Sequence, residues 1–270
     1  MTRMNIDRTR ALEAFHEYVE PYGTVNPRIA LKIKHTYRVA ALCDTIARSE
    51  GLSSGNVDLA WLCGLLHDIG RFEQLHRWNT FNDAQSVDHA RLGVNVLFET
   101  EDDEPGNIHR FTDERYEDPF IRAAVGAHSA FSLPPKFDAR TRLFCNIVRD
   151  ADKVDILRTV CESSVDTILG VNERTFRSSR ISDDALRAFR KRRCLAREER
   201  HEPADYLVGL VSFAFELVFR ESRHAMAAQG YLFRVLDAPF GIEQPFFDLE
   251  TQELWDRMGD TVRVYLAQSR

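Results

Sequence analysis

No stretch of this chain is apolar for long enough to cross a bilayer. The most apolar one, residues 207–219, is 13 residues long and is interrupted by Ser212 and Glu216, whereas a spanning helix needs about 20. It reads as a buried helix, and no membrane partner is expected. Residues 1–7 are polar and lead into an amphipathic segment with Leu12, Phe15 and Val19. That is not the pattern of a secretory signal, so a cytoplasmic location is expected. Cysteine is scarce: the five, at 43, 63, 145, 161 and 194, are odd in number and form no CxxC pair. They read as reduced core thiols. Positive charge is in deficit as well, with 36 Lys and Arg against 42 Asp and Glu and a formal net charge of −6. A general nucleic-acid binder draws its affinity from neutralising phosphates, and this balance argues against that class.

Alternating apolar and polar residues are few and no internal repeat is visible. Helical periodicity runs almost from end to end instead, which gives an all-α fold class. The 270 residues allow one large or two small domains, and 44% hydrophobic content supports a sizeable core. Breaks between helices are expected at 51–56, 70–85, 99–118, 134–135, 171–182 and 239–247, where Gly, Pro and polar residues gather.

Within this helical pattern His67 and Asp68 close an apolar helix, Leu59-Ala60-Trp61-Leu62-Cys63-Gly64-Leu65-Leu66. An unpaired buried charge is costly, so the pair must be neutralised or coordinated. A metal cation does both, and the carbonyls at a helix C-terminus favour a cation there. The competing reading is a His that only hydrogen-bonds and an Asp that caps a neighbouring turn. Four more residues of the same kinds fall on apolar faces of other helices. His35 lies on a helix over 26–49, with Asn26 as N-cap, Pro27 at the first position, and Val39, Leu42 and Ile46 on its stripe. His89 shares a face with Leu92, Gly93 and Val96, although Val87, Ala90, Val94 and Phe98 make a second, stronger apolar face. His128 follows Ile121, Ala124 and Val125 on a helix begun by Asp118-Pro119 and ended by Pro134-Pro135. Asp152, four residues after Val148 and eight after Phe144, belongs on the buried side of a helix starting near Asp138, with Asp150 turned to the opposite face. Any one of these alone is more simply a satisfied core residue. A set made only of imidazoles and carboxylates is the donor set of a first-row transition metal.

His35, His67-Asp68 and Asp152, the last within Arg149-Asp150-Ala151-Asp152-Lys153-Val154-Asp155, resemble the H…HD…D signature of the HD-domain metal-dependent phosphohydrolases. The likeness extends over about 28–159 and includes Ile69-Gly70 after the pair. With His89 and His128 the pattern is similar to the binuclear branch of that superfamily. The resemblance implies an HD helical bundle in which Asp68 bridges two divalent transition-metal ions. His35, His67 and Asp152 would complete one shell, and His89 and His128 would hold the second ion. Fe or Mn would be the first choices, with Co, Ni, Zn or Mg as further candidates. The resemblance does not reach beyond 159; the chain is read as an N-terminal helix in 1–27, a metal-site core over 28–160 and a helical C-terminal extension over 161–270 packed on that core. The chain lacks the extra adjacent histidine and the Gly-Tyr-Pro run of the cyclic dinucleotide phosphodiesterases, and the synthetase partner domain of the alarmone enzymes. It carries Arg71 where several relatives have Lys.

Two divalent ions activate a water and clamp a phosphoryl group, so the expected activity is hydrolysis of a nucleotide or other small phosphoester, with Asp68 and Arg71 as catalytic residues. Arg71, after a helix-ending Gly70, suits bidentate phosphate contact or, alternatively, serves as a dipole partner or surface ion pair. Lys153 should point away from Asp152. A mixed-valence di-iron oxygenase using the same six ligands, and a non-catalytic metal-binding regulatory protein, are the competing functions. The expected partner is a small phosphorylated substrate, and a homo-oligomer is compatible with the sequence. The acidic stretch 101–106 reads as a solvated loop, or as a lid or cation-binding segment. The basic segment 187–200, on a helix capped by Ser182 or Asp183, is a solvated face or an entrance for polyanions. A strongly apolar helix over 204–219 follows, and the aromatic residues from Phe213 to Trp255 are read as core or base-stacking surface.

Overall fold

The computed structural model describes residues 6–99 and 106–268. Among the described residues there are helices and turns and no strand, as the all-α reading requires. The chain divides into two compact units, Met1–Asp152 and Lys153–Arg270. The division between them falls inside a helix, after Asp152.

The first unit contains α1 (Arg8–Val19), α2 (Pro27–Ser49), α3 (Ser54–Leu66), α4 (Gly70–Trp78), α5 (His89–Phe98), the single turn α6 (Ile108–Phe111), α7 (Asp118–Ala127) and most of α8 (Ala139–Cys161). Helix α2 begins where its cap residues place it: Asn26 Oδ1 accepts from the Arg28 amide at 3.0 Å and Pro27 opens the first turn. Helix α3 is buried around its whole circumference from Leu59 to Leu66, the mark of a central helix rather than an amphipathic one. Each fully covered leucine there contributes about 1.5–3 kcal/mol. Gly64 lets α3 lie directly on α2, since a Cβ there would stand 2.8 Å from Cys43 Sγ and 2.9 Å from Ala40 Cα. Helix α1 backs the turn after α3. Phe15 packs edge-on against Phe72 at 5.8 Å, and Tyr18 donates to the Ile69 carbonyl at 3.3 Å.

Gly70 is where the sequence reading fails most clearly. It does not end a helix; it begins α4, so the expected break over 70–85 is confined to the residues after Trp78. Asn79, with φ +51°, is the left-handed cap instead. Glycine is required at 70 because α4 and α5 cross there: a Cβ would meet His89 O at 2.4 Å and Gly93 N at 2.5 Å. Both are backbone atoms and cannot step aside. Gly70→Ala should therefore lower stability by about 1–3 kcal/mol through overpacking, read as a shifted urea midpoint. A variant as stable as the wild type would mean the two helices do not touch at this point.

Three other expectations in this unit are corrected. Helix α7 stops at Ala127, with His128 as its C-cap, well before Pro134. On α5 the buried residues are His89, Ala90, Gly93 and Leu97, so burial is shared between the two expected faces, and Leu92, Val94, Val96 and Phe98 are all partly exposed. On α8 Asp150 is buried rather than turned outward. Burial there runs nearly unbroken from Phe144 to Ala151, and a one-face assumption does not hold for a helix covered on several sides. Residues 100–105, which include most of the acidic stretch, lie outside the described residues.

The second unit holds the end of α8 and then α9 (Val165–Leu169), α10 (Glu173–Arg177), α11 (Asp183–Arg190), α12 (Pro203–Val211), α13 (Phe213–Glu216), α14 (Arg220–Gln229), α15 (Tyr231–Asp237) and α16 (Leu249–Gln268). Its core gathers Phe176, Phe246 and Trp255, the last donating to the Leu236 carbonyl at 2.9 Å. The basic helix is shorter than expected: Ser182 caps it, but it ends at Arg190. Two positive charges of the basic segment are met locally, Arg187 by Asp184 at 2.7 Å and Arg193 by Glu199 at 2.5 Å. The apolar helix expected over 204–219 is broken, because the chain turns at Ser212 and is extended at Leu217. All five cysteines are free thiols. Among the described residues no helix is long and apolar enough to cross a membrane.

Candidate metal centre

His67 is the C-cap of α3, so the central helix delivers its imidazole and the next carboxylate into the middle of the first unit. His35 comes from α2, His89 from the first turn of α5, His128 from the C-cap of α7 and Asp152 from α8. The four histidines and Asp68 are each no more than 4% exposed. The side chain of Asp152 is 25% exposed, which makes it the member nearest solvent.

The Asp68 carboxylate is the hub. Its Oδ2 lies 3.8 Å from His35 Nε2 and 3.7 Å from His67 Nε2, while its Oδ1 lies 3.6 Å from both His89 Nε2 and His128 Nε2. Asp152 Oδ1 closes the first side, 3.1 Å from His35 Nε2 and 3.9 Å from His67 Nε2. All six residues singled out in the sequence thus meet in one cluster.

The outer ring nitrogens of three histidines are held by acceptors. His67 Nδ1 is 2.7 Å from the Gly64 carbonyl, His128 Nδ1 is 2.7 Å from the Val125 carbonyl, and His89 Nδ1 is 2.7 Å from Asp83 Oδ2. A carbonyl or carboxylate can only accept, so these nitrogens carry the protons, and in the neutral rings the lone pairs sit on Nε2 facing Asp68. Burial pushes His67 down to about 4 against the opposing pull of Asp68 and Asp152, and burial also brings His89 to about 4. Both are neutral at pH 7. His67 Nε2 is buried with no hydrogen-bond partner, and the Nε2 atoms of His89 and His128 stand 3.0 Å apart. Orphaned inward lone pairs of this kind are electrostatically poor on their own and fit a shared cation.

Burial works to raise the Asp68 carboxyl, but the Lys32 ammonium at 2.7 Å and the nearby Arg71 guanidinium oppose it, and the carboxyl is held well below the usual range. Burial is likewise outweighed at Asp83 and Asp152, by His89 and His35 respectively, and both are held low. The carboxylates are therefore charged and available as ligands.

Lys32 escaped the sequence reading. It is 9% exposed and its Nζ donates to Asp68 Oδ2 at 2.7 Å. Its position three residues before His35, on the same helix face, was the available signal. Asp83, which orients His89, and Gln74, which is fully buried and bonds Asp83, Ser86 and Val87, were also missed. Asp83 lies in a short 3₁₀ turn within an otherwise irregular segment, where no periodicity assigns a face. Arg71 sits in the first turn of α4, where that helix's dipole disfavours a cation, and it forms an ion pair with Asp83 at 2.9 Å. Its Nη1 donates to Gln74 Oε1, the Phe81 carbonyl and Asp83 Oδ1 at 2.7–2.9 Å, while Nε is buried without a hydrogen bond 3.5 Å from Asp68 Oδ1. Lys153 instead pairs with Glu216 at 2.7 Å.

Comparison with curated proteins and with solved structures gave no match. Residues 33–157, which span every member of the cluster except Lys32, match the family model of the HD domain. This part of the chain is an HD domain, the mark of a superfamily of metal-dependent phosphohydrolases.

Proposed function

We propose that the protein is a metal-dependent phosphohydrolase acting on a small phosphoester, with a nucleotide as the leading substrate class. His35, His67, Asp68 and Asp152 would hold one divalent ion and His89, His128 and the other oxygen of Asp68 a second. The observation that carries this reading is the two-sided environment of Asp68, each oxygen facing its own pair of imidazoles at 3.6–3.8 Å. The Nε2 atoms of His89 and His128 stand 3.0 Å apart, close enough for both to hold the same ion. The all-imidazole and carboxylate set favours Fe or Mn, with Co, Ni, Zn or Mg as alternatives.

When bound, such ions activate a water and clamp phosphoryl oxygens. The protein's own part is orientation. The Gly64 and Val125 carbonyls and Asp83 fix three imidazoles with their lone pairs inward. Arg71 ties down the turn that carries Asp83 through Nη1, and we assign its Nε, which makes no hydrogen bond, to a phosphoryl oxygen. The test is metal analysis of protein purified with and without air, followed by a screen of nucleotides and phosphoesters after chelation and add-back. About two ions per chain and hydrolysis that disappears and returns with the metal are expected. A loaded protein that cleaves no phosphoester but consumes oxygen would support the oxygenase reading instead.

A further inference from the structure

Beside the cluster, three cations surround one aromatic ring. The guanidinium carbons of Arg28 and Arg71 and the Nζ of Lys32 lie 5.2, 6.0 and 5.6 Å from the centroid of Phe81. The arrangement works against local helix energetics. Arg28 and Lys32 are like charges four residues apart on α2, and Arg28 is in its first turn, where the helix dipole disfavours a cation. Two carboxylates face this group: Asp68, which accepts from Lys32 at 2.7 Å, and Asp83, which accepts from Arg71 at 2.9 Å. Arg28 meets neither. Its Nη1 and Nη2 donate to the backbone oxygen of Asn79 at 3.1 Å and Nη1 also to Asn79 Oδ1 at 2.9 Å, so the guanidinium is held in place by neutral acceptors and keeps its charge. Lys32 makes a single hydrogen bond among the described residues, leaving two of its three N–H donors for another acceptor. Lys32 is nearly buried beside Asp68 and Arg28, one turn earlier on α2, is half-buried, so exposure increases from Lys32 to Arg28.

We infer that Arg28 and Lys32, with Phe81 beneath them, form a subsite for a second phosphoryl group next to the scissile one, and that the preferred substrates carry a polyphosphate chain rather than a single phosphate. This rests on the phosphohydrolase reading above and narrows its substrate class. A monoester would reach Asp68 and its neighbours without engaging Arg28. A chain of two or three phosphoryl groups can reach Arg28 as well as Lys32, and its added charge offsets the repulsion between them.

The probes are inorganic tripolyphosphate and inorganic phosphate, titrated calorimetrically into the full chain with Mn²⁺ in excess over the polyphosphate. The wild type should bind tripolyphosphate more tightly than phosphate. Arg28→Gln should weaken tripolyphosphate binding about tenfold, the scale of one lost charge-assisted contact, and leave phosphate binding within about twofold. Arg28→Lys, which keeps the charge, should retain most of the preference and so separates charge from packing. If the wild type binds phosphate or cleaves a monoester yet shows no preference for tripolyphosphate, or if Arg28→Gln weakens both probes alike, the subsite is refuted and the phosphohydrolase reading stands. A wild type that binds neither probe and cleaves no phosphoester would overturn both.

Discussion

Asp68→Ala is expected to abolish metal binding on both sides of the cluster, suppress hydrolysis by about 10³-fold or more, and destabilise the protein, all from one substitution. The first two effects follow from its position, since both oxygens of this carboxylate face imidazole pairs and a lost two-ion clamp removes several kcal/mol of transition-state stabilisation. The third follows from Lys32. Its ammonium is nearly buried and has Asp68 as its acceptor at 2.7 Å, so removing the carboxylate strands a charge in the interior, which typically costs about 3–5 kcal/mol. Replacing both partners, as in Lys32→Met with Asp68→Leu, removes the stranded charge and should recover most of the stability without recovering any metal. Elemental analysis and thermal unfolding of the single and double variants separate the two effects. An Asp68→Ala protein that keeps two ions per chain would refute the hub role, and one that unfolds at the wild-type temperature would refute the ion pair's contribution.

How far the sequence could be read depended on whether a residue's setting had one apolar face or several. Helix α2 was legible in full because Asn26, Pro27 and the stripe through His35 all point the same way, and its observed limits follow them. The end of α3 was legible for a different reason: a polar pair after eight buried residues has few alternatives. On α5 the sequence favours the face of Ala90, Val94 and Phe98 over that of His89. His89 is covered by the close crossing of α4 and α5 at Gly70 and Gly93, a contact between segments that no local pattern encodes. The same crossing explains Gly70, whose composition signal is that of a breaker although its role is to let two backbones touch. Lys32 and Asp83 were missed because a lysine near a helix start and an aspartate in a turn ordinarily face water. They become visible only when Asp68 and His89 are placed beside them. In the second unit, the break at Ser212 and Leu217 divides a segment whose high apolarity on both sides of Ser212 reads as one helix.

His128→Ala and His35→Ala should each leave one ion per chain where the wild type holds about two, because the two histidines face different oxygens of Asp68. His128 is 3.6 Å from Oδ1 and His35 is 3.8 Å from Oδ2, and each has a different second neighbour, His89 at 3.0 Å and Asp152 at 3.1 Å. Loss of His128 leaves His35, His67 and Asp152 with Oδ2 intact as one donor set. Loss of His35 leaves His89 and His128 with Oδ1. Hydrolysis should fall by about 10²-fold or more in either variant, since one ion cannot stabilise both the attacking and the leaving oxygen. The informative quantity is the stoichiometry, not the rate. Two separate lobes predict that the single variants each retain about one ion and that the double variant retains none. A single site shared by all six residues predicts that either substitution alone empties it. A metal-replete wild type holding no more than one ion per chain would decide for the single site, and Asp68 would then be a ligand to that ion rather than a bridge.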